Sequence, residues 1–336
     1  MANVEAFRVL QTWTYDRTSL RARSATRASR IFVKPVLKMW ASNPRLPWPY
    51  GVLEFLASLL PAVRGVTRTR IVLRNCAAER IRPADFVPGD REPQAILYLH
   101  GGAFIVGGVR SHRRLVSRIV RATGVPSLAV DYRQLPKSSV STSLSDCLDG
   151  LRYLIDSGVK PHNIAIAGDS AGGYLALRVA LESQRRGIGR LGAVACISPI
   201  IDLEPSAKLA GPDADRDPLF PASALDAMWT LISAAEEDEA AREDLRHPAT
   251  ASPAELAALP PLLIQVGGEE ILRPDSDALV GLSAVAGGAV RLDVFPGQIH
   301  VFQAGADFIP EGKLALDRLT THILASLAVA RTDKAA

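Results

Sequence analysis

The pentapeptide Gly168-Asp169-Ser170-Ala171-Gly172 sets one serine among small residues. A serine hydroxyl is a weak nucleophile unless a base takes its proton and an acid orients that base. The chain has six histidines: His100, His112, His162, His247, His300 and His322. His300, in "FPGQIHVF", follows a strand-like run and comes after Ser170, as the chain order Ser, acid, His requires. His322 falls in a helical pattern and reads as packing or surface. His112 and His162 lie beside element starts and read as surface positions, and His247 lies in the irregular "RHPATASP". The acid belongs after the strand "PLLIQV", where "GGEEILRPDSDAL" offers Glu269, Glu270, Asp275 and Asp277. Glu269 comes first at the strand exit, after two glycines that permit a sharp turn, and is the expected partner of His300. Asp275 is held in reserve, as a residue that otherwise caps the helix after Pro274. Glu270 is expected in solvent.

Acyl transfer also needs donors for the oxyanion. "YLHGGAF" leaves a strand and offers the N–H groups of Gly101 and Gly102, and Ala171 adds another at a helix N-terminus. His100 is expected to brace this loop without moving protons, and Asp169 to support the serine motif from within it. The glycines flanking Ser170 have a physical reason. A tight strand-to-helix turn leaves no room for side chains two residues before and two after the serine.

These groups must be carried to one edge by regular elements. Apolar, β-branched runs occur at "TRIVLRN", "AILYLH", "PSLAVDY", "NIAIAGD", "AVACISP", "PLLIQV" and "VRLDVFP". Helical patterns such as "RSHRRLVSRIVRAT", "SLSDCLDGLRYLIDSG" and "AGGYLALRVALESQRR" separate them, so βαβ units and a mainly parallel sheet follow. The alternation breaks twice. Residues 1–66 read as helices before the first strand, with "NPRLPWPYG" as a break. Residues 203–258 hold a helix, "PASALDAMWTLISAA", and the acidic run "EEDEAARED". Both are expected to cover the C-terminal edge of the sheet, where ligands bind in open α/β folds. The catalytic core is then 67–202 with 259–330, a single domain with 203–258 as a cap insertion.

The motifs "HGGAF", "DYRQLP", "GDSAGG", "PPLLIQVGGEE" and "IHVF" resemble those of the hormone-sensitive-lipase-like esterases of the α/β-hydrolase superfamily, over about residues 67–330. The resemblance implies an α/β-hydrolase fold with a mostly parallel eight-stranded sheet flanked by helices and covered by a helical cap. It implies carboxylic-ester hydrolysis without cofactor or metal. Carried over by position, Ser170 is the nucleophile, His300 the base, and Gly101, Gly102 and Ala171 the oxyanion hole. Many relatives have Asp where this chain has Glu269. After "DYR", relatives commonly read "LAPE", whereas this chain reads "QLPKSSVSTS", with Lys137 in place of the usual acid. Asp146 aligns with an acidic position there and reads as structural. Residues 1–66 match least.

Composition narrows the partners. The 336 residues are 48% hydrophobic with net charge +4, yet residues 1–70 hold twelve Lys/Arg and three Asp/Glu. This basic arm reads as a solvated helical arm or as a peripheral membrane contact. "GVLEFLASLLPAV" is too short to span a bilayer and carries Glu54. Three scattered cysteines and the lack of an apolar leader at the start point to a reducing, cytoplasmic setting. No nucleic-acid motif is present. The expected substrate is a small-molecule ester with a short- to medium-chain acyl group. Alternatives are a longer-chain interfacial lipase and a receptor on the same fold that binds without turnover. Trp40, Trp48, Tyr50, Phe55 and Leu59 are candidates for lining an acyl pocket or for packing onto the sheet. Assembly is open between a monomer and a homodimer.

Overall fold

The computed structural model describes residues 11–87, 93–211, 214–236, 238–246 and 248–332, so His247 lies outside the described residues. Four apolar runs form the sheet centre: β4 (Ala95–Leu99), β6 (Ile164–Asp169), β7 (Ala193–Ile197) and β8 (Leu262–Gly267). Every residue in them is buried, because helices cover both faces. Outside them lie β5 (Ser127–Asp131), β9 (Val290–Phe295) and β2 (Val66–Val72). Two further strands were not expected: β3 (Ala77–Pro83) and β1 (Gln11–Thr14). Among the described residues the sheet thus has nine strands where eight were expected, in the order β1-β9-β8-β7-β6-β4-β5-β3-β2. The β2–β3 and β3–β5 pairs are antiparallel, and the other pairs among the described residues are parallel.

Helices α5 (Val140–Asp156), α6 (Ala171–Arg185) and α11 (Arg273–Val285) bury their apolar residues on one face of the sheet. Helices α4 (Val109–Thr123) and α12 (Pro310–Thr332) cover the other. This parallel stacking brings the C-terminal ends of β4, β6, β7, β8 and β9 to one edge.

Residues 1–66 are not all helical. β1 pairs in parallel with β9, and Trp13 packs on Phe295, their ring centroids 5.4 Å apart. Ser19 caps α1 (Leu20–Ala28), and its hydroxyl and N–H both donate to Glu311 at the start of α12. A π-helical turn, Ser29–Val33, runs on into α2 (Lys34–Ser42), and α3 (Gly51–Ser58) follows the Pro-rich break. The insertion contains α7 (Ser206–Leu209), α8 (Ala222–Ala235), α9 (Glu239–Asp244) and α10 (Pro253–Ala258), and α2 packs on α8.

Candidate active site

Ser170 stands between the last residue of β6 and the first of α6 with φ 53°, in a region costly for any residue with a Cβ. Its N–H donates to Ile197 O at the tip of β7, 2.8 Å away, and its carbonyl accepts from Ile200 N–H. The flanking glycines are steric necessities. A Cβ on Gly172 would overlap Leu99 O and His100 O, and one on Gly168 would overlap Gly172 O. The turn therefore closes only with bare backbone at both places.

The loop after β4 runs alongside. Gly102 has φ 118°, and a Cβ there would overlap Val106 O. Among the described residues, the N–H groups of Gly101, Gly102 and Ala171 donate to no protein acceptor. They remain available to a developing oxyanion. The His100 ring hydrogen-bonds Gly101 O through Nδ1 at 2.8 Å and stacks on Tyr132 at 4.2 Å, and the Tyr132 hydroxyl donates to His100 O. Burial pushes His100 down to about 4, so the ring is neutral at pH 7 and braces the loop.

Asp169 is buried beneath this loop. The Tyr98 hydroxyl donates to its Oδ1 at 2.7 Å, and His112 Nε2 lies 3.1 Å from its Oδ2. Burial alone would raise the Asp169 carboxyl, but the His112 charge and both hydrogen bonds hold it below its ordinary value. His112 in turn is raised: burial would lower it, but the charge and hydrogen bond of Asp169, together with the Gly108 carbonyl, outweigh that. His112, expected at the surface, is instead hydrogen-bonded to Asp169 under the oxyanion loop.

His300 lies on the loop after β9 and is 8% exposed. Its Nδ1 meets Glu270 Oε2 at 2.7 Å, while its Nε2 is buried with no hydrogen-bond partner among the described residues. Burial disfavours its charged form, yet the Glu270 carboxylate raises the imidazole above its ordinary value. The acid beside His300 is thus Glu270 and not Glu269. The turn after β8 points residue 270 inward, where it is fully buried, and leaves Glu269 facing Arg30 at 3.7 Å with both side chains partly exposed. Asp275 neither meets His300 nor caps α11. It sits within the first turn of that helix and pairs with Lys208 at 2.9 Å. Asp277 pairs with Arg273.

Three further residues hold the constellation. Ser198, at φ 45° just past β7, donates to Glu270 Oε1 at 2.7 Å and accepts from Val301 N–H, tying the acid loop to the histidine loop. Because Ser170 N–H rests on the neighbouring Ile197 O, the tip of β7 joins all three loops. Asp217, fully buried, accepts N–H groups from Leu219, Phe220 and Ile271 and so pins the insertion to the acid loop. Phe220 sets its ring edge-on to His300, centroids 4.8 Å apart. No sequence motif marked these residues. The one signal was polar types, Ser and Asp, where apolar residues would be ordinary.

A serine on a strained turn, an imidazole hydrogen-bonded to a carboxylate and three free N–H groups are the parts that acyl transfer needs. A family model described as the α/β hydrolase fold matches residues 96–304. The chain belongs to that family. Within it, the hydrolase is 38% identical to esterase LipU of Mycobacterium tuberculosis, over 87% of this chain and 98% of that one. It is 36% identical to the carboxylesterase/phospholipase LipF of the same organism, over 92% of this chain and 83% of LipF. The crystal structure of an esterase from the bacterial hormone-sensitive lipase family superposes with a TM-score of 0.77 at 28% identity, covering 93% of this chain and all of that one. The hydrolase is therefore a carboxylic ester hydrolase of the hormone-sensitive-lipase-like group, with a small-molecule ester as substrate. Among its described residues, no helix is long and apolar enough to cross a membrane.

Of the other sequence candidates, Asp146 holds Arg133 through two oxygens, and Lys137 is exposed. His322 is buried with Nε2 near Val194 O and Pro261 O. Trp40 and Tyr50 pack against the core and hydrogen-bond each other, Trp48 is half-buried, and Phe55 and Leu59 are exposed.

Proposed function

We propose that the enzyme hydrolyses short- to medium-chain acyl esters through a Ser170–His300–Glu270 triad and an acyl-enzyme. His300 Nε2 takes the Ser170 proton as Oγ attacks the ester carbonyl. The oxyanion is met by the N–H groups of Gly101, Gly102 and Ala171. His300, held by Glu270, then protonates the leaving alcohol, and water repeats the sequence on the acyl-enzyme. The observation that carries this reading is the buried His300–Glu270 pair, tied through Ser198 to the strand tip on which Ser170 rests. The helices of 1–66 and 203–258 act as the cap, since Arg30 reaches Glu269 and Lys34 donates to Asp217 O. Phe220, with its ring edge-on to the imidazole, adds bulk beside His300, and this supports shorter chains.

A second reading, a lipase for longer chains at an interface, is favoured by the exposed apolar residues of α2 and α3 and by the phospholipase in LipF's name. A chain-length series of p-nitrophenyl esters, run on wild type and Ser170→Ala, separates the cases. Activity should peak at short to medium chains and fall to background in the variant. Wild type should also label with a fluorophosphonate. Retained activity in Ser170→Ala would refute the mechanism, and a peak at long chains would favour the second reading.

A further inference from the structure

Helix α3 turns its apolar face outward. Val52, Phe55, Leu56 and Leu59 recur at i, i+3, i+4 and i+7, the spacing of a core-facing stripe, yet each is about half or more exposed. Its one carboxylate, Glu54, is directed the opposite way and accepts the N–H groups of Arg110 and Ser111. Glu54 thereby supplies the anionic cap that Gly108 cannot give to α4. The preceding helical segment repeats the pattern, with Phe32, Val36 and Met39 exposed at i, i+4 and i+7.

Charge accompanies this apolar surface. Residues 20–60 contain seven Lys/Arg and a single acidic residue, the Glu54 already engaged by α4. At the end of α3 lies a cavity of about 190 Å³ whose lining includes Leu60 and Pro61 together with Arg68, Arg110, Arg113 and Arg114. Glu79 holds Arg113, and Asp307 holds Arg114. Among the described residues, Arg68 and Arg110 have no carboxylate within ion-pair distance.

We propose that the outer face of α1–α3 is a docking surface for an anionic phospholipid membrane, with the Arg68–Arg110 cavity receiving a phosphate-bearing headgroup. A lipid surface satisfies both halves of the pattern, since acyl chains take up the apolar stripes and lipid phosphates meet the cations. A second copy of the chain would bring the same surplus of positive charge to the contact, so self-association on this face is opposed. The surface adjoins the site, because Arg30 pairs with Glu269, next to Glu270. Binding does not depend on the triad, so its test is independent of the proposed chemistry.

The full chain should float with phosphatidylcholine vesicles containing roughly one-third phosphatidylglycerol, and about tenfold less with phosphatidylcholine alone. Roughly 0.5 M salt should weaken the binding. Arg68→Glu/Arg110→Glu and Leu56→Asp/Leu59→Asp should each lower the bound fraction by about tenfold or more, with unchanged circular dichroism. Ser170→Ala should bind like wild type. No flotation, or equal flotation on neutral vesicles, overturns the proposal. So does a Leu56→Asp/Leu59→Asp variant that converts a dimer to a monomer without changing vesicle binding, since a second copy would then be the occupant.

Discussion

Exchanging Glu270 for glutamine should cost far more activity than exchanging Glu269, and the hydrogen bonds say why. In the native site, Glu270 Oε1 accepts from Ser198 Oγ and from Gly267 N–H, while Oε2 faces His300 Nδ1 at 2.7 Å. The acceptor side of Ser198 Oγ is taken by Val301 N–H. In Glu270→Gln, two donors therefore fix the amide oxygen at the Oε1 position. The amide nitrogen must face Nδ1, which can then only accept. The ring proton moves to Nε2, and the imidazole no longer takes the serine proton. A wrong-tautomer triad loses on the order of 10³–10⁴ in kcat, or about 4–5 kcal/mol of transition-state stabilisation. Glu269→Gln removes only a half-exposed pair with Arg30 at 3.7 Å. That is worth under about 1 kcal/mol, and the rate should stay within about threefold of wild type. Steady-state hydrolysis of p-nitrophenyl butyrate, with thermal melts to confirm folding, measures both. If Glu270→Gln kept more than roughly a tenth of kcat, or Glu269→Gln fell as far, the tautomer argument would fail.

The remaining expectations concern pH and packing. His300 is raised by Glu270 and must be neutral to act, so kcat/KM should climb with pH through an apparent pKa above the ordinary 6.5; a limb below that value would contradict the pairing. His100 and His322 are buried and lowered to about 4, so the unfolded chain binds protons that the folded one refuses as pH falls from 6.5 towards 4. Stability should drop over that window by on the order of 3 kcal/mol per histidine, and flat melting temperatures between pH 7 and 4 would rule this out. Ser198→Ala, which leaves Glu270 and Val301 short of a partner, should lower kcat by about tenfold or more with little change in KM. Gly172→Ala drives a Cβ into backbone carbonyls that cannot move aside, and about 2–4 kcal/mol of stability should be lost in denaturant titration.

The elements legible in the sequence were those whose local pattern carries their physics. Continuous apolar runs marked the buried strands from β4 to β9, and glycine spacing marked the turn at Ser170. β3 was missed because "AAERIRP" holds three charged residues and a proline with a single β-branched residue, as suits a strand near the sheet edge. β1 was missed because four residues, "QTWT", carry too little pattern and owe their form to β9. The acid was misplaced by one residue because Glu269 and Glu270 are the same type side by side, and only the turn geometry decides which enters the site. His112 read as a surface position, and Ser198 and Asp217 carried no signal, because their partners lie 57, 72 and 54 residues away in the chain.

The short first strand bears on how the molecule can be cut. β1 covers one rim of β9, and β9 leads directly into the segment carrying His300. Trimming the chain back to the start of α1 would leave β9 as a naked border with unmatched amides and carbonyls, an invitation to pair with another molecule. Shortened versions should then clump or lose turnover even though no reacting group was deleted, and expression designs should retain residues from Gln11 onward.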